Sequence, residues 1–321
     1  MFDSHGRNIN YIRISITDRC NLRCRYCMPD GVELVSMEDI LTYEEIVRVC
    51  EAGVQAGITK VRVTGGEPLV RKGCADLIAM LKKIDGIEKV SLTTNGVLLE
   101  QYSDDLKRAG IDSVNISLDT IDAKLYESIT GRDESALVIS GIKSMIARNI
   151  PVKLNAVLMN GVNEEEWASL VMMAKTYPVD VRFIELMPMG EGKDHTGVSN
   201  EAVYRKLCNN YPGIQADPAP RGDGPAVYYQ VPGFPGRIGF ISAIHGKFCA
   251  SCNRLRLTAE GKLKPCLCYN DDIDIKDILR HGSAEALSKG LQAAAMAKPA
   301  GHCFEDSDKM LHSGQMSKIG G

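Results

Sequence analysis

Three cysteines near the start of the chain are close enough in sequence to share one metal centre. Cys20, Cys24 and Cys27 have the spacing Cys-x3-Cys-x2-Cys and directly follow a β-like run. A structural zinc ion is held by four ligands. A fourth ligand would have to come from elsewhere in the chain, because the nearest histidine, His5, precedes the strand. A cubane 4Fe–4S cluster has four irons, so three thiolates leave one iron open to a small molecule. The spacing therefore favours a cluster with an open position over structural zinc.

A second group of three thiolates lies in the C-terminal half: Cys249, Cys252 and Cys266. Adding Cys268 as a fourth ligand keeps zinc open as an alternative, although zinc ribbons generally use two Cys-x2-Cys pairs. Arg254 and Arg256 follow directly, and alternate residues of a strand point to the same face. Two guanidinium groups beside a metal centre are suited to clamp a phosphate. The alternative interpretation is that Arg254 and Arg256 only form a basic, solvent-exposed edge.

Six β-like segments alternate with amphipathic segments in the first 190 residues. Strands are predicted over residues 11–17, 60–64, 89–94, 113–118, 152–158 and 179–186. Helices are predicted over residues 42–57, 72–84, 99–109, 135–149 and 164–176. This α/β alternation indicates a parallel sheet that curls into a partial (β/α)6 barrel resembling a TIM barrel. A doubly wound sheet has the same alternation and remains an alternative.

The pattern changes after about residue 187, where proline and glycine become frequent. Short strands, expected to be antiparallel, are predicted over residues 227–231, 237–242 and 254–258, and helices over 275–281 and 284–297. We therefore predict two domains. Residues 1–190 form the partial barrel, and residues 191–321 form a smaller C-terminal α+β cap that carries the second cysteine group.

The composition is typical of a globular protein and argues against two classes of function. The chain has 38 Lys and Arg against 41 Asp and Glu, a formal charge of −3, so it lacks the basic excess that binds nucleic acid. Its longest charge-free run, residues 224–236, is too short to span a membrane. The first ten residues lack the apolar segment of a signal peptide, so we expect a cytoplasmic protein.

The remaining cysteines stand alone in the sequence. Disulfides do not persist in a reducing compartment, so clustered cysteines there indicate metal or redox chemistry. Isolated cysteines are more often small buried apolar side chains. This is what we expect of the other four: Cys50, Cys74, Cys208 and Cys303.

The first cysteine group resembles the signature of the radical S-adenosylmethionine enzymes, with an aromatic residue, Tyr26, before the third cysteine. The resemblance implies a 4Fe–4S cluster whose open iron chelates S-adenosylmethionine. One electron then cleaves the cofactor to a 5′-deoxyadenosyl radical. The segment Thr64-Gly65-Gly66-Glu67-Pro68 resembles a cofactor-contacting motif of that family. Cofactor-binding positions are implied for four residues: Tyr26, Gly66, Ser117 and Met187.

Motifs along nearly the whole chain narrow the resemblance from a superfamily to a single family. They are Asp3 with Gly6-Arg7, residues 13–20, Tyr26-Cys27-Met28-Pro29, Thr93-Thr94-Asn95-Gly96, the second cysteine group and residues 316–321. Together they resemble the GTP 3′,8-cyclase family, also called the molybdenum cofactor biosynthesis protein A family. That family consists of lyases that convert GTP to (8S)-3′,8-cyclo-7,8-dihydro-GTP, an early step of molybdenum cofactor biosynthesis.

This narrower resemblance implies a second 4Fe–4S cluster on Cys249, Cys252 and Cys266, whose open iron binds the guanine of GTP. The cysteine Cys268 has no role in the family and is expected to be free. Contacts with GTP are implied for seven residues: Arg13, Arg62, Thr93, Lys153, Arg254, Leu255 and Arg256. Of these, Arg13, Arg254 and Arg256 are also expected to be catalytic.

The resemblance also implies partners. They are GTP, an electron donor such as flavodoxin, a downstream cyclic pyranopterin monophosphate synthase and a second copy of the chain in a homodimer. The terminal Gly320 and Gly321 are implied to enter the substrate site, the alternative being a frayed tail. Residues 301–313 depart from the family by lacking an arginine-rich pattern. Two rival interpretations are a peptide-modifying radical enzyme and a non-enzymatic zinc or cluster protein.

Overall fold

A computed structural model of the chain describes residues 1–28, 34–269 and 271–304. The strands of the first half are β1 (Tyr11–Ser15), β2 (Lys60–Thr64), β3 (Lys89–Thr94), β4 (Ser113–Ser117), β5 (Val152–Val157) and β6 (Val179–Ile184). The later strands are β7 (Gln215–Asp217), β8 (Val227–Gln230), β9 (Ile238–Ile241), β10 (Arg254–Leu257), β11 (Lys262–Lys264) and β12 (Ile273–Asp274). The predicted terminal Gly-Gly segment and Pro29 lie outside the described residues.

Helices connect the strands of the first half and continue after them. They are α1 (Tyr43–Ala56), α2 (Cys74–Lys82), α3 (Ser103–Arg108), α4 (Ala123–Thr130), α5 (Ser135–Ala147), α6 (Trp167–Thr176), α7 (Asn200–Asn210), α8 (Lys276–His281) and α9 (Ala284–Met296). Within the described part of the chain, no helix is both long and apolar enough to cross a membrane.

The first six strands pair in chain order, and every pair is parallel. A doubly wound sheet would reverse its strand order at a switch point, and none occurs between β1 and β6. The predicted fold class, a partial (β/α)6 barrel with a C-terminal α+β part, is confirmed. Strands β1 to β6 carry alternating apolar residues, and helices such as α1 and α2 cover them.

The C-terminal strands continue this sheet at both of its edges. Strand β10 pairs in parallel with β1, and β9 pairs in parallel with β6. The predicted antiparallel pairing is found between β8 and β9 and between β10 and β11. It is wrong where β10 meets β1 and where β9 meets β6, because both of these pairs are parallel. The C-terminal region therefore builds two further walls of the barrel, a placement that the sequence pattern did not indicate.

Local sequence signals account for the ends of the helices. Thr42 accepts a hydrogen bond from the Glu45 N–H in a capping box, and Gly57 ends α1 with a φ of 100°. Helix α4 is absent from the sequence-based prediction, although Asp122 caps it and Gly131 ends it with a φ of 77°. Helix α7 is also absent from that prediction. Both are short amphipathic segments that lie outside the regular alternation of strand and helix.

Candidate active site

The interior of the barrel holds one large cavity of about 650 Å³. Alternate residues of the strands point into it, and the loops after the strands close one end. All six predicted cluster ligands line it, as do Tyr26, Gly66, Ser117, Met187, Arg13, Arg62, Thr93, Lys153, Arg254 and Arg256. Its size is within the usual range of small-molecule sites. The structure therefore brings nearly all of the predicted site residues together.

The first cysteine group lies on the loop after β1, at the carboxyl end of the barrel strands. Main-chain N–H groups of Arg23 and Arg25 donate to the carbonyls of Thr130 and Ile129 at the end of α4. The Cys20 sulfur accepts hydrogen bonds from the Leu22 N–H at 3.4 Å and the Asn95 side-chain amide at 3.7 Å. Helix α4, which the sequence prediction omitted, thus holds the loop in place.

Carboxyl groups surround these thiols. Burial, with smaller effects from Cys20 and Asp119, raises the pKa of Cys27 to about 12. Burial also raises the pKa of Cys24 well above its usual value. Asp119 accepts a hydrogen bond from the Tyr26 hydroxyl at 2.5 Å, and burial raises the pKa of this carboxyl to about 6.

Glu67 is the second carboxyl near this loop. It accepts hydrogen bonds from the main-chain N–H groups of Leu69 and Asn95 and from the Thr94 hydroxyl. These hydrogen bonds lower the pKa of Glu67, but burial has the larger effect and raises it to about 7. Its carboxyl therefore fastens the loop after β3 to the loop after β2.

The two glycines of the Gly-Gly-Glu-Pro segment are required by close contact with the first cysteine loop. A Cβ on Gly65 would lie 2.6 Å from the Thr17 carbonyl oxygen, and one on Gly66 would lie 2.4 Å from the Arg19 carbonyl oxygen. The Gly66 N–H donates to the Thr17 carbonyl, and the Glu67 N–H donates to that of Arg19. The segment thus positions the cysteine loop in addition to lining the cavity.

The second cysteine group lies at the opposite, amino end of the barrel strands. Cys252 comes two residues before β10, and the Asn253 carbonyl accepts from the Tyr11 N–H at the start of β1. Strand β11 runs antiparallel to β10 and returns the chain to the same end, where Cys266 lies. Strand β1 separates the two groups, and its four residue steps span roughly 13 Å at about 3.3 Å per residue.

A layer of cationic side chains lies between the two cysteine groups. Arg13 is in register with Arg62 on one side and with Arg256 on the other. Burial lowers the pKa of Arg13 well below its usual value, and the charges of Arg256 and Arg62 lower it further. Burial and Arg254 lower the pKa of Arg256 to about 10. Such mutual repulsion indicates that an anionic ligand belongs in this layer.

Several polar atoms in this layer have no hydrogen-bond partner among the described residues. They are Thr93 Oγ1, Asn155 Oδ1, Arg182 Nε, Arg254 Nε and Arg256 Nε. Buried polar groups are normally paired, so these atoms are available to a polar ligand. Lys153 contacts the Tyr228 hydroxyl at 3.4 Å, and burial lowers its pKa to about 8. Leu255 is the exception among the predicted contacts, because it does not line the cavity and its side chain is fully buried in the core.

The sequence analysis missed five cations that line this cavity: Lys60, Lys89, Arg182, Arg221 and Lys298. Two of them, Arg182 and Lys298, hold other residues of the site. Arg182 on β6 is 5% exposed and donates to the Asn115 side-chain oxygen at 2.6 Å. It lies two residues before the end of its strand, as Arg13 and Arg62 do on theirs, and this shared position was the available signal. Lys298 follows α9 and donates to the carbonyls of Arg254 and Pro265, both at 2.8 Å. No sequence pattern marked it.

The thiols of the first group have an arrangement that suits a cluster. In the described ranges, no three His, Cys, Asp or Glu side chains converge closely enough to hold one ion. The thiols of the first group still raise each other's pKa, so they are neighbours. A cubane cluster takes each thiolate on a different iron, which places its ligands on separate corners. Three neighbouring thiols that each take one iron would leave the fourth iron of such a cluster open, as the sequence analysis expected.

Two protein families match the chain. Radical SAM superfamily matches residues 14–174, and Molybdenum Cofactor Synthesis C matches residues 179–304. GTP 3′,8-cyclase from Heliobacterium modesticaldum is 45% identical over 327 residues, which cover 100% of both chains. The chain belongs to the GTP 3′,8-cyclase family. Another member, from Clostridium perfringens, is 41% identical over 323 residues, again with 100% of both chains covered. Family membership implies a 4Fe–4S cluster and S-adenosylmethionine.

Solved structures of lower identity share the fold of this family member. Streptococcus suis SuiB bound to S-adenosylmethionine matches with a TM-score of 0.68 at 14% identity, over 97% of this chain and 78% of that one. The hydrogenase maturase HydG matches with a TM-score of 0.52 at 17% identity, over 63% of this chain and 48% of that one. At these identities the likeness establishes the fold alone.

Proposed function

We propose that this chain converts GTP to (8S)-3′,8-cyclo-7,8-dihydro-GTP as a radical S-adenosylmethionine lyase of molybdenum cofactor biosynthesis. The observation that carries the proposal is one cavity with a thiol triad at each end and a layer of buried cations between them. Full-length identity to GTP 3′,8-cyclases supports it. When bound, the cluster and S-adenosylmethionine supply the 5′-deoxyadenosyl radical that removes hydrogen from C3′ of GTP, before C3′ bonds to C8.

We assign the cofactor end of the cavity to the first cysteine group. Cys20, Cys24 and Cys27 hold the cluster, and the four cofactor residues around it line the same end: Tyr26, Gly66, Ser117 and Met187. The hydrogen bond between Tyr26 and Asp119 fixes the aromatic ring beside the third ligand. Glu67 and the two glycines keep the loop rigid.

We assign a second 4Fe–4S cluster to Cys249, Cys252 and Cys266. Lys298 lies 3.7 Å from the Cys252 sulfur and binds carbonyls on both segments that carry these cysteines. Burial raises the pKa of Cys252, but Arg254 and Lys298 more than offset this and bring it down to about 7. Thiolates are the form that binds metal, so Cys252 favours ligation near neutral pH, whereas burial raises the pKa of Cys266.

The cationic layer binds the triphosphate in this proposal. Arg13, Arg254 and Arg256 are cationic side chains that the surrounding structure holds close together, so an anion relieves their repulsion. Arg62, Thr93 and Lys153 complete the contacts. The enclosed barrel excludes water from the reacting ribose and base. Binding energy from the phosphates thereby orients C3′ towards the cofactor end.

Further parts of the proposal rest on family membership. They are an electron donor such as flavodoxin, a cyclic pyranopterin monophosphate synthase that uses the product, a homodimer, and a cytoplasmic location. All cysteines of the described residues are free thiols, which suits a reducing compartment. We also retain residue 190 as the domain boundary, close to the end of β6 at Ile184.

The test is an anaerobic assay of reconstituted protein with GTP, S-adenosylmethionine and a reductant, followed by mass spectrometry. GTP carrying deuterium at C3′ should transfer it to 5′-deoxyadenosine and yield a product of the mass of the cyclised nucleotide. A matched reaction with ATP controls for the base. Formation of 5′-deoxyadenosine without deuterium and without cyclised product would contradict the proposal and favour the peptide-modifying alternative.

A further inference from the structure

Two cysteines outside the cluster ligands face each other beside the second cysteine group. The sulfur atoms of Cys268 and Cys303 are 2.9 Å apart, and the Cys303 N–H donates to the Cys268 sulfur at 3.3 Å. Their side chains are buried, with exposures of 1% and 8%. The two residues are 35 positions apart in sequence, so the fold itself brings them together.

Cys268 does not behave as a fourth ligand of the second group. Its neighbours Cys266 and Leu267 line the cavity, whereas Cys268 is not among the lining residues and its sulfur lies against that of Cys303. The four-ligand zinc alternative for this group therefore loses its fourth thiol. The pair needs a separate explanation, because Cys303 is buried as the sequence suggested but lies against a second thiol, and Cys268 has no other assigned role.

We propose that Cys268 and Cys303 are a redox-sensitive pair that closes to a disulfide. The sulfur atoms need to approach by only about 0.9 Å to reach the roughly 2.05 Å of a disulfide bond. In reducing compartments such bonds are generally transient and redox-sensing. The oxidant is a low-molecular-weight disulfide such as glutathione disulfide. The pair gives up two electrons and two protons, one S–S bond forms, and the oxidant's S–S bond is cleaved to two thiols.

The bond would tie together two segments that form one wall of the cavity. Cys268 follows the proposed ligand Cys266, and Cys303 lies between His302 and Phe304, which both line the cavity. Hydrogen bonds already hold this second segment. Arg7 donates to the Pro299 carbonyl at 2.7 Å, and Tyr269 donates to the Gly301 carbonyl at 3.3 Å. Oxidation would therefore lock this wall in a position that it already occupies.

The test uses the full-length protein with its clusters reconstituted, held anaerobically in glutathione buffers of stepped ratio. Free thiols are alkylated, and peptides from a non-reducing digest are identified by mass spectrometry. We expect a Cys268–Cys303 linked peptide that increases with the share of glutathione disulfide and disappears with dithiothreitol. We also expect the melting temperature of the oxidised protein to rise by several degrees, because the link restrains the unfolded chain.

Matched variants separate this pair from other thiols. In Cys303→Ser the linked peptide and the redox-dependent melting shift should vanish, while iron content stays at the wild-type value. Cys208→Ser, which changes a half-buried cysteine on α7, should behave as the wild type. The proposal is overturned if Cys268 and Cys303 are both alkylated in the wild type at the most oxidising ratio. It is equally overturned if Cys268 links to Cys266 instead. Both results come from the wild type and do not depend on whether a variant folds.

Discussion

The two cysteine groups have equal numbers of thiols but opposite electrostatic surroundings. Around the first group, burial raises the pKa values of all three thiols, Asp119 raises those of Cys24 and Cys27, and Glu67 raises that of Cys20. Around the second, burial raises the pKa of Cys266, but at Cys252 the charges of Arg254 and Lys298 outweigh burial and lower its pKa to about 7. The charged neighbours of the first group are mainly carboxyl groups and those of the second are cations, so the second end is the better site for an anion.

This difference supports a division of labour between the ends. S-adenosylmethionine carries both a sulfonium and a carboxylate, so it does not require a strongly cationic site. A nucleoside triphosphate carries several negative charges, and the buried cations of the second end suit it. The structure thus supports binding of the cofactor at the carboxyl ends of the strands and of the triphosphate towards their amino ends. The predictions below test this division.

Removal of one ligand from each group should have the largest effect and should separate the two ends. Cys24→Ala should abolish formation of 5′-deoxyadenosine, since no spare thiol lies in that loop. Cys252→Ala should retain this cleavage in the absence of GTP and abolish cyclisation. Chromatography of 5′-deoxyadenosine and mass spectrometry of the nucleotide measure both, with Cys208→Ala as the control. Wild-type cofactor cleavage in Cys24→Ala would refute the assignment of the first group.

Lys298→Met should damage only the second end. It leaves the buried carbonyls of Arg254 and Pro265 without their donor, at about 1–3 kcal/mol for each unsatisfied group. The free energy of unfolding in urea should fall accordingly, and about half of the iron should be lost. Lys289→Met, which removes an exposed lysine on α9, is the control. Full iron content in Lys298→Met would show that this lysine does not support the second site.

Arg256→Ala should weaken GTP binding by about 1.5–3 kcal/mol, the usual contribution of a hydrogen bond to a charged group. Arg256→Lys should recover only part of this, because an ammonium cannot make the planar two-pronged contact. Guanosine should bind poorly to all three proteins, since it has no phosphates. Anaerobic calorimetry measures these affinities, with the exposed Arg205→Ala as the control. Equal GTP affinity in wild type and Arg256→Ala would remove the arginine from the phosphate site.

The fold was largely predictable because its signals are local. Strand β2 and strand β3 match their predicted bounds, and the capping box at Thr42 marks the start of α1. The partners of β9 and β10 were not predictable, because parallel pairing with β6 and β1 joins segments far apart in sequence. No local pattern in the residues around Arg254 indicates that β10 pairs with β1.

Some features of the candidate site were likewise predictable from the sequence, and others depended on the fold. Spacing and motifs indicated the cysteines, but their placement at opposite ends depends on the pairing of β10 with β1. Arg182 carried a usable signal in its strand position. Lys298 did not, because its role comes from carbonyls that only the folded chain brings near. The pair of Cys268 and Cys303 was also not predictable, because only the folded chain brings these two residues together.

The smallest expected effect is a pH dependence at Lys153, which lies between the two ends. Burial and Arg182 lower its pKa from 10.5 to about 8, so above pH 8 the unliganded site loses this charge. The bound triphosphate needs the proton, and GTP affinity should therefore fall by up to about tenfold per pH unit above pH 8.

Stability without GTP should change in the opposite direction. The unfolded chain binds more protons than the folded one between about pH 8 and 10.5, so this group makes the folded state more stable as pH rises through that window. Lys153→Arg keeps its charge and should remove both trends relative to the wild type. Calorimetry with GTP and urea unfolding, each at pH 7.5, 8.25 and 9, compare the two proteins. Identical pH profiles for wild type and Lys153→Arg would show that Lys153 does not face the phosphates, and would confine the triphosphate to the arginines of β1, β2 and β10.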